Sequence, residues 1–204
     1  MPFVVKEDRH PDLYRFITNR NLLWQYDFLL QSIRLGLYQM APEQTRLTGG
    51  LILSLNHFAV VNLTPRPGML RDDHVHIRNS PHEPPGEAAA ANHFYQLISQ
   101  TRQSWNDADA LELACRVMWR LTWIHPFEEG NGRTARAACY YILCLKLNMV
   151  LPGRNIIPQQ MRDNPAPYYA ALRHADDTEK INGRADLKPL VDYVERLLTT
   201  QLQS

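Results

Sequence analysis

Residues 125–136, with the sequence His-Pro-Phe-Glu-Glu-Gly-Asn-Gly-Arg-Thr-Ala-Arg, constrain the fold of this chain because they place a glycine-flanked turn between two helical patterns. Pro126 prevents the first helix from continuing regularly. Gly130 and Gly132, on either side of Asn131, allow positive φ angles and a close approach to an anion, since neither has a Cβ atom. A helix that starts there offers free N–H groups and its positive end to a phosphate.

The same run contains side chains suited to chemistry on a nucleoside triphosphate. His125 has an ordinary pKa near neutrality and is a candidate general base. Arg133 and Arg136 are three positions apart, so they share one face of the helix and can bind the same anion. Glu129 offers a hard oxygen ligand for Mg²⁺ between the α- and β-phosphates, and its neighbour Glu128 is the rival for that role.

This run resembles the active-site motif of the Fic-domain family, His-x-Phe-x-Asp/Glu-Gly-Asn-Gly-Arg-x-x-Arg, and every fixed position of the motif is filled. The resemblance implies a protein adenylyltransferase, which transfers AMP from Mg-ATP to a Ser, Thr or Tyr hydroxyl of a target protein. It also implies that Glu129 holds the Mg²⁺ and that Glu128 faces solvent. Family members that move the γ-phosphate carry Lys at the position of Gly132, so this glycine favours nucleotidyl transfer.

The resemblance implies a role for individual residues. The expected catalytic residues are His125, Asn131, Arg133 and Arg136. The residues expected to bind the substrate ATP are Gly130, Asn131, Gly132, Arg133, Arg136 and one of Tyr168 and Tyr169, whose ring would stack on adenine. For Asn131 the alternative is a turn residue with left-handed φ, and for either tyrosine it is an aromatic core position at helical spacing.

Upstream of this run, the pattern changes from helical to alternating. His74, Val75, His76 and Ile77 can form a short strand, and the residues up to Pro85 can pair back across a turn, so a small hairpin is predicted over residues 71–85. In Fic proteins such a hairpin, the flap, aligns the target side chain by strand-like pairing, and the resemblance implies that role here. A plain surface hairpin is the alternative.

Apolar periodicity elsewhere predicts helices. In chain order these are residues 22–40, 47–63 and 87–103, a helix capped by Asn106 or Asp107 and ending at His125, the helix after Gly132, a helix from Asn164 to Ala175, and a last helix capped by Asp186. Without an internal repeat or linker, the sequence predicts one all-α domain over residues 1–204, a Fic-type helical bundle with one small β-hairpin. Its parts are N-terminal helices (1–66), the flap region (71–85), a core with the motif (87–153) and C-terminal helices (160–204).

Composition limits the expected partners. A formal net charge of +1 over 204 residues, with scattered basic residues, gives no electrostatic reason to expect nucleic acid. No stretch is apolar enough to span a bilayer and the first residues do not resemble a signal peptide, so no membrane association is expected. The odd number of cysteines, 3, favours a reduced protein in the cytoplasm.

Two alternatives to AMP transfer stay open: a catalytically idle nucleotide-binding scaffold, which has no need of His125, and Fic-type transfer of UMP or phosphocholine. Many Fic proteins carry an inhibitory helix, Ser/Thr-x-x-x-Glu-Gly/Asn, whose glutamate pairs with the second motif arginine. No Glu in this sequence has Ser or Thr four positions earlier, and Thr178 has Asn182 at that spacing. Inhibition is therefore expected in trans, from a small antitoxin-like protein whose glutamate pairs with Arg136, unless the enzyme is free-running.

Overall fold

A computed structural model of the chain describes residues 3–38, 47–77 and 80–204. Eight helices lie in these residues: α1 (Pro11–Tyr38), α2 (Gly49–Val60), α3 (Glu87–Gln103), α4 (Ala110–Ile124), α5 (Asn131–Lys146), α6 (Ile157–Asp163), α7 (Pro165–Asn182) and α8 (Lys188–Leu202). All eight contribute to one buried hydrophobic cluster. In this described part of the chain, no helix combines the length and the apolar content needed to cross a bilayer.

Helix α5 lies at the centre of the bundle, where it packs against α1, α2, α4 and α6. Most of its side chains are small or apolar, and they are buried on nearly every side of the helix. A helix that is apolar around most of its circumference is stable only when other elements surround it. The helix predicted after Gly132 is therefore present, and it forms the core of the molecule.

Side-chain caps define where two of the helices begin. Thr48 caps α2, and Asp109 caps α4 by accepting hydrogen bonds from the N–H groups of the second and third helical residues at 2.8 and 3.1 Å. The prediction of a cap at Asn106 or Asp107 was wrong, because those residues belong to a turn in which Ala108 N donates to Ser104 O.

Helix α1 begins at Pro11, well before the predicted range of 22–40. Apolar periodicity did not identify its first half, because the buried positions there alternate between apolar Ile17, which packs against Ala59 and Val60 of α2, and polar Asn21. The buried Asn21 and Gln25 donate to carbonyls at the end of α2 and within it, at 2.7 and 2.9 Å. The predicted end of this helix at residue 40 lies outside the described residues.

The C-terminal helices follow the sequence prediction in part. The short α6 was not predicted, and α7 begins at Pro165 as expected but continues to Asn182, where Gly183 ends it with a φ of 66°. Asp186 was predicted to cap α8, but Leu187 is its N-cap and provides no side-chain cap. Asp186 lies one residue earlier, and its Oδ1 accepts a hydrogen bond of 2.9 Å from Lys188 N, the first residue of the helix.

The hairpin predicted over residues 71–85 is not seen: the described residues contain no strand. Residues 80–85 include three prolines, which have no N–H to donate to a ladder. Among the residues that the structure describes on the two sides, one backbone hydrogen bond is found, from Ser80 N to Ile77 O at 3.2 Å. The predicted turn at residues 78–79 lies outside the described part, and the all-α assignment holds without the hairpin.

Candidate active site

His125 lies at the end of α4 and closes that helix in the left-handed conformation, with φ 49° and ψ 59°. Its backbone N–H donates to Leu121 O at 3.0 Å. Its ring Nδ1 lies 3.2 Å from Thr122 O, and because a carbonyl oxygen can only accept, Nδ1 carries the proton. In this tautomer Nε2 has a lone pair, which is the state that a general base requires.

The imidazole of His125 is neutral at physiological pH. Burial lowers its pKa to about 4, and the positive charges of Arg71 and His82 act in the same direction, while the Thr122 carbonyl and the Glu129 carboxylate oppose them. Desolvation dominates because it disfavours the charged form of a base. The ring is therefore available to accept a proton across the whole neutral range.

Arg71 connects the segment upstream of the motif to His125. Its buried guanidinium donates from Nε to His125 O and from Nη1 to Asp73 O, both at 2.8 Å, and from Nη2 to Pro85 O. Its backbone N–H donates to Pro126 O at 2.9 Å. One side chain thus replaces the ladder expected for a hairpin and holds residues 71–85 beside the catalytic candidate.

The turn between α4 and α5 requires glycine at one position. Gly130 has φ 79°, and a Cβ atom there would lie 2.4 Å from Cγ1 of Val60. Gly132 lies in the first turn of α5, where a Cβ atom would come to 3.2 Å from Nη1 of Arg136. The prediction of positive φ is therefore right for Gly130 and wrong for Gly132, whose lack of a side chain leaves room for an arginine. No side chain caps α5, so its first N–H groups are open.

The side chain of Asn131 shapes the loop. Its Oδ1 accepts from Phe127 N at 3.0 Å and its Nδ2 donates to Phe127 O at 2.8 Å, which closes the loop between the two residues. Asn131 is the first residue of α5 and is not left-handed, so the alternative of a left-handed turn residue was wrong. A second N–H of Nδ2 is left for a phosphate oxygen. Phe127 itself is buried in the core.

Sequence reasoning missed Asn56, a buried residue of α2 that supports the turn. Its Nδ2 donates to Glu129 O at 2.9 Å and to Thr134 Oγ1 at 3.2 Å, and its Oδ1 accepts from Gly68 N at 3.0 Å. Thr134 Oγ1 in turn donates to Gly130 O at 3.0 Å. The available signal was an asparagine inside the mostly apolar sequence of α2, since buried polar groups need partners.

The two neighbouring glutamates have different surroundings. Glu129 is 46% exposed, and its Oε1 accepts from Arg133 Nη2 at 2.9 Å and from Gly130 N at 3.1 Å. Glu128 is half-buried and accepts a hydrogen bond from the Thr64 hydroxyl, so the expectation that it faces solvent was wrong. The second oxygen, Oε2, makes no hydrogen bond or ion pair among the described residues, and the metal role of Glu129 stays a prediction.

A magnesium site built from protein side chains alone is not found: no cluster of three His, Cys, Asp or Glu residues in the described part of the chain could hold an ion. The exposed carboxylate of Glu129, in the loop between α4 and α5, is nevertheless sufficient as the protein ligand. Mg²⁺ usually keeps several waters and binds one or two carboxylates together with substrate phosphates. Glu129 therefore fits an ion that arrives with a nucleotide.

The two motif arginines differ in their contacts. Arg133 is engaged on both sides, with Nη1 donating to Ala59 O at 2.7 Å and Nη2 to Glu129. Arg136 takes part in none of the ion pairs among the described residues, and its guanidinium carbon lies 5.9 Å from the centre of the Tyr168 ring. Both arginines line a cavity of about 550 Å³ between α1, α5 and α6.

The remaining predicted residues lie around this centre. Tyr168 is buried in the core, whereas Tyr169 is 51% exposed, so only Tyr169 has a face open to stacking. The segment His74, Val75, His76 and Ile77 belongs to no helix or strand, and its two histidines are exposed while its two aliphatic residues are half-buried. The histidine rings lie 4.8 Å apart on one side, as expected for alternate residues of an extended chain.

The fold is that of Fic proteins of known structure. A fragment of Fic-1 from Caenorhabditis elegans has a TM-score of 0.66 at 24% identity, over 88% of this chain and 48% of that one. A Fic family protein from Desulfovibrio desulfuricans has a TM-score of 0.64 at 21% identity, over 86% and 50%. The likeness defines the class of this molecule as a Fic-type helical protein.

Residues 46–143 match the family model of the Fic/DOC family, and the chain therefore contains a domain of that family. The curated protein adenylyltransferase fic-1 from Caenorhabditis elegans is 36% identical over 97 residues, which is 47% of this chain and 16% of that protein. Protein adenylyltransferase Fic from Drosophila grimshawi is 26% identical over 189 residues, 87% of this chain and 33% of that protein. The match thus covers a third or less of the length of these relatives.

Proposed function

We propose that the protein transfers AMP from Mg-ATP to a Ser, Thr or Tyr hydroxyl of a target protein. One observation carries the proposal: His125 is neutral, has its Nδ1 proton bound by Thr122, and stands one short loop before the uncapped end of α5. A base and an anion site in this order are what nucleotidyl transfer to a hydroxyl needs. The names of the curated relatives support the same reaction.

In the proposed reaction, Nε2 of His125 accepts the proton of the target hydroxyl while the hydroxyl oxygen attacks the α-phosphorus. The bond from the α-phosphorus to the oxygen that bridges to the β-phosphate breaks, and pyrophosphate leaves with that oxygen. The open N–H groups at the start of α5, together with the free N–H of the Asn131 amide, stabilise the charge that gathers on the α-phosphate.

Glu129, Arg133 and Arg136 are the proposed ligands of the rest of the nucleotide. Glu129 would hold Mg²⁺, which when bound neutralises phosphate charge. Arg133 keeps the Glu129 carboxylate in position through their ion pair and is proposed to bind the β-phosphate. Arg136, which has no carboxylate partner in the described residues, is proposed to bind the γ-phosphate.

The segment formed by His74, Val75, His76 and Ile77 is the proposed docking edge for the target. In the described residues it belongs to no helix or strand, and its only backbone hydrogen bond runs from Ser80 N to Ile77 O. The Arg71 side chain holds the neighbouring Asp73 next to His125 through bonds to both carbonyls. An extended target peptide can add to such an edge, and the pairing expected of a flap would then form with the target. Tyr169 is the proposed stacking partner of adenine, since its ring is exposed.

The direct test of the proposal uses a single base variant. His125→Ala should lower the rate of AMP transfer by about 10²- to 10⁴-fold, because the general base is lost, while ATP affinity stays within about twofold. Transfer is measured as label from [α-³²P]ATP appearing on protein in a lysate, and affinity by calorimetry. His10→Ala, a substitution of an exposed histidine, serves as the control. Wild-type transfer rates in His125→Ala would exclude the histidine as the base.

Label on protein also separates the alternative functions. A scaffold without turnover would bind ATP and leave all protein unlabelled. Parallel reactions with labelled UTP and CDP-choline identify a different transferred group, since only the moiety that the enzyme moves remains on the target. We propose AMP because of the names of the relatives, and a label from UTP or CDP-choline alone would replace that nucleotide while keeping the role of His125.

We further propose that inhibition comes from a separate small protein whose glutamate pairs with Arg136. Its support is the guanidinium of Arg136, which faces a cavity and has no carboxylate partner in the described part. An ion pair formed inside such a cavity is protected from water, so it favours a specific complex.

The three thiols, all free and buried, fit the reducing conditions of the cytoplasm, where we propose the protein works.

A further inference from the structure

The cavity between α1, α5 and α6 contains polar groups that do not belong to the motif. Beyond Arg133 and Arg136 from α5, it is lined by Tyr26 of α1 and Arg162 of α6. The carboxylate in its lining belongs to Asp27, which is exposed to solvent. Its interior therefore has a surplus of hydrogen-bond donors and of positive charge.

The hydroxyl of Tyr26 is buried and has no hydrogen-bond partner among the residues that the structure describes. Burial raises the pKa of Tyr26 well above its usual range, and neighbouring Tyr140 adds to this shift, so the group stays protonated and can donate. A buried donor without an acceptor is uncommon in native proteins, because its lost hydration is not replaced. An acceptor supplied by a ligand would remove this penalty.

Two cations act on the same hydroxyl. Arg162 and Arg136 line the same cavity as Tyr26, and their positive charges lower the pKa of its hydroxyl, against the larger effect of burial. Arg162 is 43% exposed, and its Nε contacts Asp163 Oδ1 at 3.1 Å, so both of its terminal amino groups stay free for a ligand. Two guanidinium groups and one hydroxyl donor converging on one cavity fit a phosphate.

We propose that Tyr26 and Arg162, together with Arg136, bind the terminal phosphate of a nucleoside triphosphate and make the site selective for triphosphates over diphosphates. The inference rests on the proposed function, because α5 must bind the inner phosphates for the third to reach this cavity. It assigns binding roles to Tyr26 and Arg162, which lie 110 and 26 positions from the motif arginine Arg136 in the sequence.

Tyr26→Phe tests the hydroxyl alone. Calorimetric titration with Mg-ATP and Mg-ADP should give about tenfold weaker ATP binding and unchanged ADP binding, because one hydrogen bond to the terminal phosphate is lost. The melting temperature without ligand should be equal to or higher than that of the wild type, since an unsatisfied buried hydroxyl is removed. Tyr38→Phe, an exposed tyrosine of the same helix, is the control.

Arg162→Gln tests the second group from another element. We expect about 3- to 10-fold weaker ATP binding and the same ADP binding, a small loss because the side chain is partly exposed. Arg154→Gln, an exposed arginine outside the lining of this cavity, should change neither. Inorganic tripolyphosphate is the third titrant, and its affinity should fall in Tyr26→Phe and Arg162→Gln as ATP affinity does.

Three outcomes would overturn the inference: equal ATP and ADP affinity in the wild type, ATP affinity unchanged in both Tyr26→Phe and Arg162→Gln, or equal losses for ATP and ADP. A lower melting temperature of ligand-free Tyr26→Phe would show that the hydroxyl has a structural partner instead. Failure of the proposed function gives a different result, which is seen in the wild type alone. In that case the wild-type protein binds no nucleotide, or binds it without transferring label.

Discussion

Burial affects His125 in two measurable ways, and the first is the pH dependence of transfer. The free protein keeps this ring neutral down to a pKa of about 4. The kcat/KM for transfer, which reports ionisation of the free enzyme, should therefore stay flat between pH 8 and about pH 5.5 instead of falling near 6.5. An acid limb centred near 6.5 would show that the ring is solvated and would contradict the geometry of the site.

The same depressed pKa of His125 makes folding sensitive to acid. In the unfolded chain the ring takes up a proton near pH 6.5, whereas the folded protein resists until about pH 4. Stability is thus complete above 6.5 and is lost as the pH falls from 6.5 to 4, by about 2–3 kcal/mol for this group. Denaturant unfolding of wild type and His125→Gln over pH 4–8 checks this. Plotted against pH, the free energy of unfolding should have the same slope for both proteins only above pH 6.5.

Gly130 offers a comparison between two causes of destabilisation. Gly130→Ala introduces a left-handed alanine and a Cβ atom 2.4 Å from Val60 Cγ1, whereas Gly183→Ala, at φ 66°, meets no atom within 4 Å. We expect Gly183→Ala to cost about 1 kcal/mol from backbone strain, and Gly130→Ala to cost about 2–4 kcal/mol from strain and overpacking together. Urea unfolding measures both. Equal losses would mean that α2 moves away without cost.

Arg71 connects two elements, and Arg71→Lys should separate them. An ammonium group cannot reproduce the three directed hydrogen bonds to His125 O, Asp73 O and Pro85 O. We expect residues 72–85 to lose hydrogen-exchange protection and target modification to fall about tenfold or more, while ATP affinity changes little.

The control for this variant is Arg102→Lys, a substitution in the last turn of α3 away from the loop. Exchange is followed by mass spectrometry and transfer with labelled ATP. If protection and transfer in Arg71→Lys match those of Arg102→Lys, the loop is held by other contacts and the target-docking role proposed for residues 74–77 loses its support.

Helices whose buried face is apolar could be predicted, and helices held by other interactions could not. The range 87–103 agrees with α3 because Ala90, Phe94 and Leu97 recur at helical spacing and are all buried. The start of α1 was missed because its buried face contains Asn21 and Gln25 beside Ile17, and amides carry no apolar signal. Apolar periodicity predicts the helices with an apolar buried face. Contacts made by buried polar side chains can be found only in the three-dimensional structure.

The candidate site shows the same division. The motif residues lie next to one another in the sequence, so their common position could be predicted from spacing. Asn56, Arg71, Tyr26 and Arg162 come from other elements, and each is a polar residue whose role depends on which carbonyl or cavity the fold brings to it. The prediction of a hairpin was wrong for a related reason. Alternation in residues 74–77 indicates an extended chain, but it does not indicate which segment that chain pairs with.

At the scale of the whole molecule, α1 packs against α5 beside the proposed nucleotide site, and the proposed inhibition can be tested there. Thr18 of α1 lines the same cavity as Arg136, and its hydroxyl donates to Tyr14 O at 2.8 Å. Helix α1 therefore presents the neutral Thr18, and no carboxylate at that position, to the cavity that contains the Arg136 guanidinium. Purified alone, the protein should bind ATP and label itself or a target without any activating substitution, which is measured with [α-³²P]ATP.

Thr18→Glu should convert this arrangement into an inhibited one. The new carboxylate would reach the cavity and pair with Arg136, so the terminal phosphate would lose its partner and meet a negative charge. We expect about tenfold or more weaker ATP binding and a matching loss of transfer, with the melting temperature raised or unchanged because an ion pair is gained. Thr18→Gln, of equal size and without charge, should retain most of both ATP binding and transfer.

If Thr18→Glu binds ATP as the wild type does, Arg136 is not the residue through which a glutamate acts, and the proposed inhibitor in trans would need another contact. If the wild type is silent until part of α1 is removed, the inhibitor lies within the chain itself.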